Sequence, residues 1–255
     1  NHNQPVFSTS SMDYLPVSNP LGETAFMSRR SGVCEVYLHS EGQVMQLSDH
    51  AGYQYVTLLE WRPDWSMLVS NRDQDIVLYD RQNTLLQFSS QARQRLRNLG
   101  WLDNQTLYAF DGHSLLLYNL QGRLLRQQTL EADNLHFDPA AQRWLLQRDL
   151  AWYSLAHAQL ATGTAELLLR LTPQQAHHMH NIRSRGGHLY WQSDWSKQDY
   201  IWSMPLSGQP QVSLRKSGNL IWHFDVNPFQ QLTIAKMEAL EGDIKKLVAV
   251  PADQL

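Results

Sequence analysis

His177-His178-Met179-His180 is the densest group of imidazoles in the chain. Read as a strand, it projects His178 and His180 to one face, because strand side chains alternate with a period of two. Two imidazoles at that spacing could hold Zn2+, Cu2+ or Ni2+. The pair lacks a cysteine or a fixed carboxylate, which leaves it short of a metal donor set. No metal is assigned, and hydrogen bonding to backbone is the reading adopted for these rings. Glu60, His136 and His223 occupy matching places in their own stretches of sequence. Trp195 stands in the polar segment Ser193-Asp194-Trp195-Ser196-Lys197-Gln198-Asp199, whose composition suits a binding loop. Glu60, His136, His178, His180, His223 and Trp195 are therefore the expected ligand-binding set.

Catalytic patterns are missing. The chain has neither a Gly-x-Ser-x-Gly elbow nor a Gly-x-x-x-x-Gly-Lys phosphate loop. The single cysteine, Cys34, has strand-forming neighbours and reads as a buried thiol. Carboxylates are scattered, with no pair suited to acid–base work. No catalytic residue, cofactor or enzymatic activity is expected. Arg93, Arg95 and Arg97 read as a solvated face. Arg29, Arg30 and Arg72 read as bridges to carboxylates or carbonyls.

The elements that would position these residues recur. Ala25-Phe26-Met27-Ser28-Arg29-Arg30 followed by Glu35-Val36-Tyr37 returns as Met67-Leu68-Val69-Ser70-Asn71-Arg72 followed by Ile76-Val77-Leu78-Tyr79. Tyr37, Tyr79, Tyr118, Tyr153, Trp202 and Leu247 mark successive repeats of about forty residues, enough for four short strands and their turns. Turn residues punctuate each repeat, as in Pro63-Asp64, Asp103-Asn104, Asp138-Pro139 and Asn227-Pro228. The expected fold is all-β: a single six-bladed β-propeller of four-stranded antiparallel blades over residues 1–255. The blades fall at about 14–50, 53–93, 95–133, 134–175, 176–219 and 220–250. A strand within 4–9 completes the last blade and closes the ring, which removes exposed sheet edges. First strands line a propeller axis, so the candidate residues are expected at a polar axial mouth.

The pattern Trp61-x-Pro63-Asp64, Ser70-x-Arg72, Ile76-x-x-Tyr79-Asp80 resembles the PD40 or TolB-like repeats of WD40-type propellers. Ser28-Arg29-Arg30 and Glu35-Val36-Tyr37 are similar to its second half. The resemblance covers most of the chain in outline and two repeats in detail. It implies one of three settings: the sensory domain of a membrane-tethered winged-helix regulator of the CadC and ToxR kind, a stand-alone TolB-like periplasmic scaffold, or the gating propeller of a prolyl-oligopeptidase-type peptidase. The first is the expected function, with a ligand or protein on a propeller face biasing an attached module.

Composition agrees with a binding role. The 255 residues carry 21 Lys plus Arg against 24 Asp plus Glu, a formal net charge of −3. That balance offers no basic excess for phosphate, so direct nucleic-acid binding is not expected. Apolar runs are strand-length, so a membrane would be reached only through a segment outside this chain. One cysteine allows no internal disulfide. The sequence opens on Asn1 and reads as an excised domain or mature fragment. A protein partner or small-molecule signal is expected, in the periplasm or alternatively the cytoplasm.

Overall fold

The computed structural model describes residues 4–7, 11–49, 56–161, 163–194, 198–207, 211–218, 220–237 and 244–250. Trp195 lies outside them, as do residues 8 and 9 of the expected closing strand. The described residues form 24 strands, almost all the regular structure there is. After β1 (Gln4–Phe7) come β2 (Asp13–Ser18), β3 (Thr24–Ser28), β4 (Glu35–Ser40) and β5 (Gln43–Gln46). Next are β6 (Leu59–Trp61), β7 (Leu68–Arg72), β8 (Asp75–Tyr79) and β9 (Thr84–Ser89), then β10 (Asn98–Trp101), β11 (Thr106–Phe110), β12 (Ser114–Asn119) and β13 (Leu124–Thr129). The next four are β14 (Asn134–Asp138), β15 (Arg143–Arg148), β16 (Ala151–Ala156) and β17 (Glu166–Arg170). A short helix α1 (Pro173–His177) precedes β18 (Met179–Arg185), β19 (His188–Ser193), β20 (Asp199–Pro205) and β21 (Ser213–Gly218). The chain then runs through β22 (Ile221–Val226), β23 (Leu232–Met237) and β24 (Ile244–Val250).

These strands make six four-stranded antiparallel sheets, five of them meanders of consecutive strands. The sixth has the order β1-β24-β23-β22, with Gln4 paired to Ala249 and Phe7 to Leu247. The chain divides into two compact units, Asn1–Gln91 with Leu220–Leu255, and Ala92–Asn219. Each holds three sheets.

Second and third strands are apolar without alternation because both of their faces are covered. All five residues of β3 are buried, as are the last four of β8. Fourth strands are exposed: β5 and β9 bury nothing fully. Turns are closed by short polar side chains that accept main-chain hydrogens and so fix the reversal. Asn19 Oδ1 accepts from Leu21 and Glu23, and Asn227 Oδ1 from Phe229 and Gln231. Asp103 Oδ1 accepts from Gln105 and Thr106, and Asp138 Oδ1 from Ala140 and Ala141.

In the first unit, a cluster from Val17 to Tyr79 fills the space between two sheets, with Trp61 donating its indole N–H to the Val17 carbonyl at 3.0 Å. Arg81 crosses to Glu23 at 2.7 Å with both guanidinium arms. Ser18 donates its main-chain N–H to Asp225 at 2.8 Å and its hydroxyl to Thr233 at 2.6 Å. In the second unit, Leu135 donates to Asn98 Oδ1 at 2.9 Å, and Phe137 to the Tyr108 hydroxyl at 3.3 Å. Gly100 lets Tyr108 lie across β10, since a Cβ there would sit 2.8 Å from its ring. The linker before β10 is irregular, as its polar sequence predicts, and Arg97 closes it on the Asp133 carbonyl. Arg30 reaches Asp13 at 3.0 Å, the expected carboxylate bridge, while Arg72 meets the Gln87 amide.

The third and fourth strands slip by one residue in five sheets. Leu85, Leu125, Leu168 and Arg215 are the extra residues opposite Leu78/Tyr79, Leu117/Tyr118, Trp152/Tyr153 and Ile201/Trp202. Val6 is the extra residue in β1, beside Leu247. Five of the six residues that mark the sequence repeat therefore face a bulge, Tyr37 being the exception.

Candidate functional site

The histidine cluster is assembled differently from the sequence expectation. His177 ends α1 and His178 is its C-cap, so only His180 belongs to a strand. The helix forms because Thr172 and Gln175 make a reciprocal capping box and Pro173 occupies the first turn. The two rings meet through a third residue instead of a shared strand face. Asp194 Oδ1 lies 2.6 Å from His178 Nδ1 and 3.2 Å from His180 Nε2. Pairing of Met179 with Ser193 brings it there, one step past β19. Burial opposes ionisation of Asp194, but the His178 hydrogen bond and the His180 charge outweigh it and hold the carboxyl below its usual range. The group is water-accessible. Among the described residues, no three His, Cys, Asp or Glu side chains are placed to hold a metal ion.

His136, on β14 in the same unit, has other surroundings. Its Nε2 is 3.4 Å from Asn98 Nδ2, which makes the ring nitrogen an acceptor, and the ring lies 6.1 Å from that of Trp152. Desolvation, reinforced by the charges of Arg183 and Arg185, pushes its pKa down to about 3. The imidazole is neutral at physiological pH and serves as a hydrogen-bonding group.

Glu60 and His223 belong to the other unit. Glu60 is half-buried on β6, opposite Val69. His223 sits on β22 with its ring 5.5 Å from Trp222 and 6.1 Å from Tyr14. The structure thus joins His178 with His180, and sets His136 on a different sheet of that unit. Asn98 and Asp194 are the residues sequence reasoning missed. The signal for Asp194 was the hairpin register of His180 with Gln192.

Cys34 is buried, touches the Tyr14 hydroxyl, and has its thiol pKa raised by burial. That environment suits packing better than nucleophilic attack.

No family model matches the chain, and no curated protein does. Solved structures do. One is a chain of the "Crystal Structure of Mitotic Checkpoint Complex", 13% identical with a TM-score of 0.58, covering 98% of this chain and 96% of that one. Another is the β-propeller domain of Cps50 (Swd1) from Myceliophteria thermophila, 11% identical with a TM-score of 0.57, covering 94% and 99%. The fold is a WD40-like β-propeller. At these identities the likeness concerns architecture alone. The propeller is built of four-stranded antiparallel blades, as the repeat predicts.

Proposed function

We propose that this propeller is a non-catalytic interaction domain, and that its setting is the extracytoplasmic part of a membrane-tethered transcription regulator. In this reading the six sheets are six blades, with β1 completing the last. The observation that carries the interaction role is the scaffold itself. Within each unit, neighbouring sheets are cross-tied by buried and half-buried hydrogen bonds, which fixes exposed turns and outer strands for recognition. Likeness to a propeller chain crystallised within the Mitotic Checkpoint Complex, a multiprotein assembly, supports a protein partner. A small-molecule signal at His178 and His180, the two rings joined by Asp194, is a further part of the proposal. The regulator setting rests on the Ser-x-Arg and Tyr-Asp repeat pattern.

The test has two parts. Chemical crosslinking in cells, read by mass spectrometry, is expected to return specific protein partners. Reading the frame upstream of Asn1 is expected to find an apolar segment of roughly 20 residues and a winged helix. A signal peptide alone would instead support the stand-alone scaffold, and a downstream Gly-x-Ser-x-Gly domain the gating propeller.

A further inference from the structure

Outer strands present unpaired main-chain groups, and proteins blunt such edges with bulges, charges or proline. Five of the six outer strands here are blunted. β13 has its bulge and Arg126; β17 has its bulge, Glu166 and Arg170; β21 has its bulge and Lys216; β1 has its bulge and Pro5; β9 has a bulge. The exception is β5, Gln43-Val44-Met45-Gln46. It is uncharged, holds no proline, and pairs with β4 in unbroken register. All four residues are exposed, including Val44 at 36% and Met45 at 41%. Among the described residues, no strand pairs with its other side.

The register shows which groups are offered. Leu47 donates its N–H inward to the Val36 carbonyl at 2.8 Å. Antiparallel alternation then turns the peptide groups of Gln43 and Met45 toward β4 and those of Val44 and Gln46 outward. Exposed Glu41 and Asp49 flank the strand. An open cleft of about 710 Å³, lined partly by Gln46, Ser48, Asp49, Gln82 and Asn83, adjoins its end.

We infer that β5 accepts an extended strand from a partner protein, and that this strand carries a basic residue at each end. The inference rests on the interaction reading and names its mode, β-strand addition. The acidic flanks favour such a partner over a second copy of this chain. The antiparallel self-pairing that engages both Val44 and Gln46 is centred on Met45, and it sets Glu41 of one copy against Asp49 of the other.

The experiment pans the purified chain against a random peptide display library. Enriched peptides are expected to alternate apolar and polar residues between terminal Lys or Arg. They should lose about tenfold affinity or more against Val44→Pro, which removes an outward N–H and leaves the β4 ladder intact. Val44→Lys, which keeps the backbone, should also weaken them, while Leu125→Lys on β13 should not. Urea unfolding verifies that each variant folds. Enriched peptides that bind Val44→Pro and Val44→Lys as well as the parent would overturn the β5 site while leaving the interaction reading standing. Failure to enrich any peptide would also overturn it. A concentration-dependent dimer in light scattering, lost in Val44→Pro, would give the edge to a second copy and overturn the partner named.

Discussion

The Asp138 carboxylate accepts the Gly187 main-chain N–H at 2.8 Å, tying the β14–β15 turn to the β18–β19 turn of the next sheet. The same oxygen accepts the Ser184 hydroxyl at 3.3 Å, while the other holds the Asp138 turn closed. One side chain thus serves local reversal and packing between sheets. Asp138→Ala leaves buried donors unmatched and is expected to cost about 3 kcal/mol, read as a lower urea midpoint. Asp138→Asn, which keeps an acceptor for the turn, should cost less.

Gly100 and Tyr108 make a second matched pair. Gly100→Ala puts a methyl into the tyrosine ring and should destabilise by about 1–3 kcal/mol. In a Tyr108→Leu background the same substitution should cost much less, and a double-mutant cycle measures the difference. Equal costs in both backgrounds would show that the ring does not set the need for glycine.

Glu23 has its pKa lowered: desolvation pushes upward, but the Arg81 and Asn19 hydrogen bonds outweigh it. A depressed folded value means that this stabilisation is complete above the unfolded pKa and lost as pH falls through the folded one. Chain stability should therefore decline below the ordinary carboxylate range, and Glu23→Gln should shallow that decline. The pair is partly solvated at Arg81, so its removal at neutral pH should cost about 1 kcal/mol or less.

His136 should titrate out of the usual histidine window. Its folded pKa lies far below 6.5, so the unfolded chain takes up its proton first and stability falls as pH drops from about 6.5 towards 3. Proton NMR should show its ring still neutral at pH 5 (an intermediate value in that window). His136→Gln should flatten the acid limb of the stability curve. A His136 resonance titrating near its ordinary value would contradict this.

How far the sequence could be read depended on the range of the interaction. Local turn chemistry was legible at Asp103, Asp138 and Asn227, because each closes its turn with its own side chain. The repeat anchors were legible too, though their meaning was not: Tyr79 and Tyr118 face bulges that only strand pairing reveals. The stretch before Met179 was misread because its histidines drew the eye past Thr172, Pro173 and Gln175, a helix-start signal. Asp194 and Asn98 escaped because their partners are brought in by register and by the neighbouring sheet.

The pairing of Gln4 with Ala249 joins the two extremes of the chain in one sheet. Residues 4 to 249 must therefore all be synthesised before that sheet can be completed, while the meander of β6 to β9 can assemble from residues already released. Such distant pairing predicts a slow last step in folding. Deleting either β1 or β24 should damage the same blade, and a circular permutant of this domain that joins β24 to β1 and opens a turn elsewhere should shorten the wait.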